Sequence, residues 1–331
     1  MKGCYVWAVI SRQNESAVPE SLRKRNDETF SAALGNSAAI QRAHRSVLVV
    51  ADLEMNWMLF DYLVAQDWSV DYVAHNDLAL AAAQKRHYDL IVTAEITSPR
   101  DDLELLRKIR AVRPHTRMIV LTGRRTTEDV IEALRERAFS LFAKPYSIET
   151  LKALIEMALD EKCWDDGIEV ISATPSWIRL MVRCDLGTIE RMSQFFQEMA
   201  DLPEPERSQV ATAFRELLLN AAGHGGGFNP DEYVEISYIR SKQAVACRVT
   251  DPGAGFSFTE RSKTWLANPL EQLPERSSLS DSKEAIYSKS FGILLAKHLV
   301  DELIYNEQGN EVVLIKYLED MALPPLGSVA H

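Results

Sequence analysis

Short apolar runs alternate with longer amphipathic segments along the chain from Ser46 onward. Runs such as 47–50 and 118–121 have no polar alternation, so they fit central strands that are buried on both faces. Helical spacing separates these runs, which predicts an α/β domain with a doubly wound, five-stranded parallel sheet. The predicted strands are 47–50, 69–73, 90–92, 118–121 and 140–142. The predicted helices are 54–66, 77–85, 103–112, 127–137 and 148–159.

The pattern changes after residue 162. Gly167 and Pro175 interrupt the helical spacing, so residues 163–175 are predicted to form a linker. The strand-like runs 233–240 and 244–250 follow one another closely and are expected to pair in antiparallel fashion. The other elements predicted beyond the linker are a strand over 177–184, a helix over 189–199, a helix that carries Glu216, and a strand over 311–317.

Length and composition indicate more than one domain. The chain has 331 residues, of which 46% are hydrophobic, and this exceeds the size of a usual single core. The expected segments are a poorly ordered arm over 1–45, a first domain over 46–162, the linker over 163–175, a second domain over 176–320 and a tail over 321–331.

Charge and cysteine usage exclude several classes of function. A formal net charge of −11 argues against direct nucleic-acid binding, which needs clustered Lys and Arg. The four cysteines lack Cys-x-x-Cys spacing, so neither a zinc site nor a disulfide framework is predicted. The apolar start, residues 1–10, is too short to span a membrane and has no convincing cleavage pattern. We therefore expect a cytoplasmic protein without a membrane segment.

Glu216 and Asn220 form the first of three motifs with candidate chemistry. They lie four residues apart in a helical segment and therefore share one helix face. An amide oxygen is a hard ligand for phosphate-bound Mg²⁺, and a carboxylate can accept a hydroxyl proton. The pair is suited to phosphoryl transfer, although the same spacing also occurs on ordinary solvated helix faces.

The other two motifs contain glycines. Asp251 ends a strand-like run, and Gly253 and Gly255 after it permit positive backbone angles and close approach of a ligand. Ser290 comes two residues before Gly292, which begins an apolar run up to Leu303. Unpaired amides at the N-terminus of such a helix could bind phosphate.

Taken in order, these motifs resemble the Bergerat ATP-binding fold, in particular the anti-sigma-factor serine kinases, over about 177–318. The kinase helix typically reads Glu-(x)3-Asn-(x)3-His, matched here by Glu216, Asn220 and His224. The resemblance implies an α/β sandwich with a mixed, largely antiparallel sheet, and ATP and Mg²⁺ as cofactors. Ser290 departs from the pattern, because the family usually has glycine there.

The resemblance also implies roles for single residues. Glu216 would be the base for the acceptor hydroxyl, Asn220 the Mg²⁺ ligand, and Asp251 the acceptor for the adenine amino group. We interpret His224 as a hydrogen-bonding residue at the helix end. The residues that would shape the nucleotide pocket are Gly253, Gly255, Ser290 and Gly292.

The polar segment between Phe256 and Ser290 occupies the position of an ATP lid. A lid that closes over phosphates usually contributes cations, and the sequence does not choose among the candidates. These candidates are Arg261, Lys263, Arg276, Lys283 and Lys289.

The strand ends of the first domain resemble those of a two-component receiver domain that has lost its acids. Asp52 follows the first strand, where the family usually has an acidic pair, and Thr122 and Lys144 follow the fourth and fifth strands. The position of the phospho-accepting Asp falls on Ala94 or on Glu95, and neither is an aspartate. We expect a pseudo-receiver used for docking or dimerisation, in which Thr122 and Lys144 are structural remnants.

Spacing leaves the acceptor position open. Counting from Asp89 or to Leu103 places it at Ala94, whereas counting to Pro99 places it at Glu95. Ala94 offers no carboxylate for an acyl phosphate. Glu95 could mimic a phosphorylated acid only if it holds the acceptor position itself. If Ala94 holds the acceptor position, Glu95 is the next residue along the strand and points to its opposite face.

Two classes of function follow from these motifs. One is a serine/threonine kinase of the anti-sigma type, acting on an anti-anti-sigma-like partner and binding a sigma-like factor, with homodimerisation as a further expectation. The other is a nucleotide-dependent binding switch without phosphoryl transfer. Glu216 favours the kinase, because a pure switch needs no base beside the metal site.

Overall fold

The computed structural model of the protein describes residues 45–51, 62–63, 65–66, 68–95, 97–160, 166–255 and 291–318. Except for Arg45, the arm expected over 1–45 lies outside these residues, and so does the tail over 321–331. The described residues fall into two units. The first comprises those up to 125 together with 138–160, and the second comprises 126–137 and those from 166 onward.

A parallel sheet with the strand order β2-β1-β3-β4-β5 forms the core of the first unit, and it confirms the predicted doubly wound sheet. Every residue of β1, β3 and β4 is buried, because helices cover central strands on both faces. The strands are β1 (Ser46–Val50), β2 (Ser69–Val73), β3 (Leu90–Ala94), β4 (Arg117–Thr122) and β5 (Ser140–Ala143).

The predicted helix 54–66 lies largely outside the described residues. The other helices of this region lie at the predicted positions, with one clear shift. Helix α2 begins at Pro99, four residues before the predicted start at 103. The Ser98 hydroxyl accepts the N–H of Asp101, and proline suits the first helical position, so the polar first turn is helical as well. The helices between residues 76 and 160 are α1 (Asn76–Lys85), α2 (Pro99–Arg110), α3 (Thr127–Arg135) and α4 (Ile148–Asp160).

The second unit is built on a six-stranded sheet in the order β10-β11-β9-β8-β7-β6. Every neighbouring pair in this sheet is antiparallel. The strands are β6 (Ile168–Thr174), β7 (Trp177–Arg183), β8 (Tyr233–Arg240), β9 (Ala244–Thr250), β10 (Glu302–Tyr305) and β11 (Glu311–Tyr317).

Two of these strands correct the sequence interpretation. Residues Ile168–Thr174, which we expected in a linker, form an edge strand paired with β7. Glu302–Tyr305 pairs with β11, although the apolar run up to Leu303 was read as one segment with the helix before it. Both are edge strands of the sheet.

Helices of the second unit pack on one face of its sheet. Phe196 of α5 stacks on Phe214 of α6, with ring centroids 3.8 Å apart, and meets Tyr238 of β8 edge to face. Helix α3 also belongs to this unit, where it contacts β6 and α5. The remaining helices are α5 (Leu186–Met199), α6 (Glu206–Asn220) and α7 (Phe291–Leu299). Among the described residues, the structure contains no helix with the length and hydropathy needed to cross a membrane.

Candidate functional site

Glu216 and Asn220 both face the first turn of α7. They lie one helical turn apart on α6, with Asn220 as its last residue. A Cβ atom placed at Gly292 would lie 2.6 Å from Glu216 Oε2 and 3.5 Å from Asn220 Nδ2. A side chain at 292 would therefore displace the Glu216 carboxylate, whereas glycine lets the α7 backbone approach it, and these three residues lie together.

The Glu216 carboxylate has a different neighbour at each oxygen. Oε2 lies against Gly292, while Oε1 is 3.5 Å from Nη1 of Arg215. Arg215 also forms an ion pair with Glu190 on α5, in which Nε and Oε2 are 3.0 Å apart. Burial raises the pKa of Glu216, Arg215 opposes that shift, and the nearby Glu190 adds to it.

The Asn220 side chain carries an unsatisfied polar atom. Its Nδ2 is buried and has no hydrogen-bond partner within the described part of the chain. Buried polar atoms are nearly always paired, so such an atom beside Glu216 and Gly292 fits a place where a polar ligand binds. Rotation of the amide by 180° exchanges Nδ2 and Oδ1, so the oxygen can face the same place.

Asp251 directly follows β9, and its side chain folds back on its own loop. Its Oδ1 accepts the Gly253 N–H at 2.8 Å, which fixes the carboxylate. A Cβ at Gly225 would overlap this carboxylate, so Gly225 allows Asp251 to lie directly against the backbone. Burial raises the pKa of Asp251 and the Gly253 N–H opposes that shift.

The glycines of this loop allow backbone segments to touch. A Cβ at Gly253 would lie 2.8 Å from Gly225 Cα. Gly255 has φ +79°, and a Cβ there would overlap the carbonyl oxygen of Gln308 in the β10–β11 hairpin. The Asp251 N–H donates to Asn310 O at 2.9 Å in the same hairpin, which therefore supports the loop.

A π-helical turn connects the end of α6, which carries Glu216 and Asn220, to the glycine that contacts Asp251. Asn220 is followed directly by Ala221–Gly225, which has π geometry and ends at the glycine beneath Asp251. Such turns inside helices often occur at functional sites. His224 lies on this turn and is exposed. Ser290 and the five candidate lid cations lie outside the described residues.

Sequence reasoning missed several residues that build this site. The glycines after Asn220 were interpreted only as a helix stop, although Gly225 makes room for Asp251. The pairing of Arg215 with Glu190 joins residues 25 positions apart, so no local pattern indicates it. One signal in the sequence pointed to the contact of Gly225 with Asp251. Gly225 follows the helical Asn220 and precedes the distant Asp251-x-Gly253 motif.

At the receiver-like strand ends, the structure brings Glu95 and Lys144 together. Strand β3 ends at the buried Ala94, and Glu95 has φ +51°. Because the strand ends at Ala94, Glu95 does not point to the opposite face, as it would if the strand continued. A Glu95 carboxylate oxygen lies 2.7 Å from Lys144 Nζ. Thr122 bonds within its own loop, donating to Arg124 O at 2.6 Å. Asp52 lies outside the described residues.

Two family models match the chain. The response regulator receiver domain matches residues 47–156, and the histidine kinase-like ATPase domain matches residues 182–316. The chain therefore carries a receiver domain followed by a histidine kinase-like ATPase domain, as the motifs indicated. A histidine kinase-like ATPase domain implies ATP binding.

Curated relatives match part of the chain. The transcriptional regulatory protein RprY of Bacteroides fragilis is 29% identical over 115 residues, covering 35% of this chain and 49% of that protein. The chain thus spans about half the length of that relative. The response regulator ArlR of Staphylococcus aureus (strain Mu50 / ATCC 700699) is 28% identical over 203 residues, covering 59% of this chain and 89% of that protein.

Among solved structures, the chain is similar to a CheY-like response regulator receiver domain protein from Methanospirillum hungatei JF-1. The identity is 23%, the TM-score is 0.32, and the match covers 36% of this chain and 95% of that one.

Proposed function

We propose that the ATPase domain binds Mg-ATP and transfers its terminal phosphoryl group to a serine or threonine hydroxyl of a protein partner, as anti-sigma-factor kinases do. The observation that carries this proposal is the meeting of Glu216, Asn220 and Gly292 at one place. A base, a metal ligand and a helix N-terminus at one point are what phosphoryl transfer to a hydroxyl needs.

Asn220 and Asp251 would hold the nucleotide. The Asn220 amide would bind Mg²⁺, and its unsatisfied buried nitrogen supports the presence of a ligand there. Asp251 would accept a hydrogen bond from the adenine amino group, and its anchoring by Gly253 fixes the acceptor in advance. Bound Mg²⁺ would supply charge neutralisation at the phosphates. Gly255 and Gly292 would keep the backbone close to the nucleotide, and Ser290 would contribute to the phosphate loop.

Glu216 would take the proton of the acceptor hydroxyl. A general base works best when its pKa is not far below the working pH, and burial raises the pKa of Glu216 in that direction. The adjacent Arg215 limits the shift, which keeps the carboxylate available in its charged form.

The receiver domain would serve for docking rather than as a phosphate acceptor. Ala94 and Glu95 both lack the short aspartate side chain, and Glu95 already pairs with Lys144. An anti-anti-sigma-like or sigma-like protein is the partner class that the proposed kinase would bind, in a cytoplasmic setting.

Glu216→Gln tests the proposal together with Asn220→Ala. Partners are first recovered from source-cell lysate with nucleotide-loaded protein, and transfer of labelled phosphate to them is then measured. Glu216→Gln should keep ATP affinity nearly intact while transfer falls roughly a hundredfold or more, because only the base is lost. Asn220→Ala should weaken Mg-dependent binding itself.

The matched control is Glu206→Gln, about 15 Å away along the same helix, which should transfer at the wild-type rate. A partner that is retained by nucleotide but never phosphorylated, with Glu216→Gln behaving like wild type, would remove the kinase and leave the nucleotide-dependent binding switch.

A further inference from the structure

Arg215 lies between two carboxylates that come from different helices. Its Nε donates to Glu190 Oε2 at 3.0 Å, and its Nη2 donates to Glu190 Oε1. Its Nη1 lies 3.5 Å from Glu216 Oε1. Nε and Nη2 form one edge of the planar guanidinium group, and Nη1 lies away from that edge. One side chain thus bridges Glu190 on α5 and Glu216 on α6.

The pair with Glu190 determines where the guanidinium group lies. Consecutive residues on a helix do not face each other, so Arg215 and Glu216 leave α6 in different directions. A long Arg side chain has many rotamers, and without a second partner it would not stay beside Glu216. The two bonds to Glu190 are bidentate, and such bonds fix the plane of the guanidinium group as well as its position. With that plane fixed, Nη1 is held beside Glu216 Oε1.

The bridge acts on one oxygen of Glu216 and leaves the other facing the candidate site. Oε1 is the oxygen next to Arg215, whereas Oε2 lies against Gly292. The last torsion of a Glu side chain has no sharp preference of its own, so a contact at one oxygen decides where the other points. The contact with Arg215 therefore directs Oε2 to the place where Gly292 and Asn220 meet.

The Glu190–Arg215 pair is not needed to hold α5 against α6. Phe214, which precedes Arg215, stacks on Phe196 of α5 with ring centroids 3.8 Å apart. The side chains of Glu190 and Arg215 are 34% and 33% exposed, and ion pairs at such exposure contribute little to stability. A pair that contributes little to folding and reaches Glu216 points to a role in the reaction.

We propose that Glu190 is a positioning residue, which acts through Arg215 to aim the Glu216 carboxylate at the acceptor hydroxyl. The inference rests on the proposed role of Glu216 as the general base. Such a base is commonly oriented by a third group, and a misplacement of about 1 Å can lower a rate about a hundredfold. The site of phosphoryl transfer therefore extends from α6 to α5.

Two variants keep every charge and break only the two-bond geometry. Glu190→Asp shortens the carboxylate side chain by one methylene, and Arg215→Lys replaces the planar fork by a single ammonium group. Turnover is measured as ADP release from Mg-ATP by the full chain. Each variant should lower kcat about tenfold or more while KM for ATP stays within about twofold, because only the aim of the base changes. The double variant should be about as slow as the slower single variant, since both residues act through one bridge.

The matched control is the pair of Arg207 and Glu204 at the start of α6. Arg207 Nε donates to Glu204 Oε1 at 2.9 Å, and Arg207 lies about 14 Å from Glu216 along the helix. Arg207→Lys and Glu204→Asp should turn over like wild type. Thermal melting should place all four single variants within a few degrees of wild type, which separates positioning from a loss of folding.

A chemical probe of Glu216 distinguishes failure of this inference from failure of the proposed function. A carbodiimide with glycine ethyl ester modifies accessible carboxylates, and mass spectrometry of the nucleotide-free full chain measures the modified fraction at Glu216. That fraction should rise several-fold in Glu190→Asp and Arg215→Lys but not in the control variants, because the carboxylate is no longer held. Unchanged labelling, or wild-type kcat in both variants, would overturn the inference. Raised labelling in a chain without any ATP turnover would support the bridge and contradict the proposed function instead.

Discussion

Gly292→Ala separates stability from chemistry at the candidate site. The added methyl would lie 2.6 Å from Glu216 Oε2, where an ordinary contact is about 3.4 Å or more, so the carboxylate must retreat by about 0.8 Å. The carboxylate is the end of a flexible side chain, and alanine favours a helix over glycine by about 1 kcal/mol. The free energy of unfolding should therefore change by no more than about 1 kcal/mol.

The same displacement should be costly for turnover. A misplacement of about 1 Å in a reacting group can lower a rate about a hundredfold. We expect ADP release from Gly292→Ala to fall by that factor while its melting temperature stays within a few degrees of wild type. The control is Gly123→Ala, where an added Cβ has nothing within 4 Å and turnover should not change.

A double variant decides whether the loss acts through Glu216. In a Glu216→Ala background the carboxylate is absent, so adding Gly292→Ala should cost little further turnover. Wild-type turnover in Gly292→Ala, or a full additional loss in the Glu216→Ala background, would refute the idea that glycine is needed at 292 to make room for the carboxylate.

Three further outcomes follow from charges in the structure. Arg215→Gln should move the acidic limb of the pH–turnover profile to higher pH, because the cation that lowers the pKa of Glu216 is lost. Arg215→Lys should restore the wild-type profile. An unshifted profile in Arg215→Gln would contradict the assignment of Glu216 as the titrating base. Burial raises the pKa of Asp102, so the stability it contributes falls as pH rises above the ordinary aspartate range. Asp102→Asn should therefore be more stable than wild type at neutral pH, by the order of 1 kcal/mol, with the gap closing near pH 4 in thermal melts; a gap independent of pH would exclude this cause. Acetyl phosphate with Mg²⁺ should give no acid-labile phosphate on residues 46–160, since Glu95 pairs with Lys144; mass spectrometry that maps such a phosphate to this range would refute it.

Buried strands were predictable because their apolar runs admit few alternatives. The five parallel strands and the pair β8 and β9 lie where their patterns predicted. Helix starts were less predictable, since the first turn of α2 is polar and is fixed by the Ser98 cap. Strand β6 alternates only weakly and follows a helix break, so it was mistaken for a linker; its partner β7 determines its structure.

The candidate site was predictable where the spacing of residues in the sequence determines which helix face they share. The spacing of Glu216 and Asn220 places them on one helix face, and the structure sets Gly292 against both. The environment of the carboxylate was not predictable, because Glu190 comes from another helix. Gly255 was expected to shape a nucleotide pocket, yet its missing side chain also makes room for the Gln308 carbonyl. Backbone contacts of this kind leave no local pattern.

Calorimetric titration of Mg-ATP into the wild-type chain and Asp251→Asn tests the central claim most directly. Wild type should bind one ATP per chain, and Asp251→Asn should bind it ten to a hundred times more weakly, because a neutral amide replaces the charged acceptor. Asp231→Asn, an exposed aspartate of the same unit, serves as the control and should bind like wild type. Absence of ATP binding by wild type, or equal affinity in Asp251→Asn, would contradict the nucleotide site.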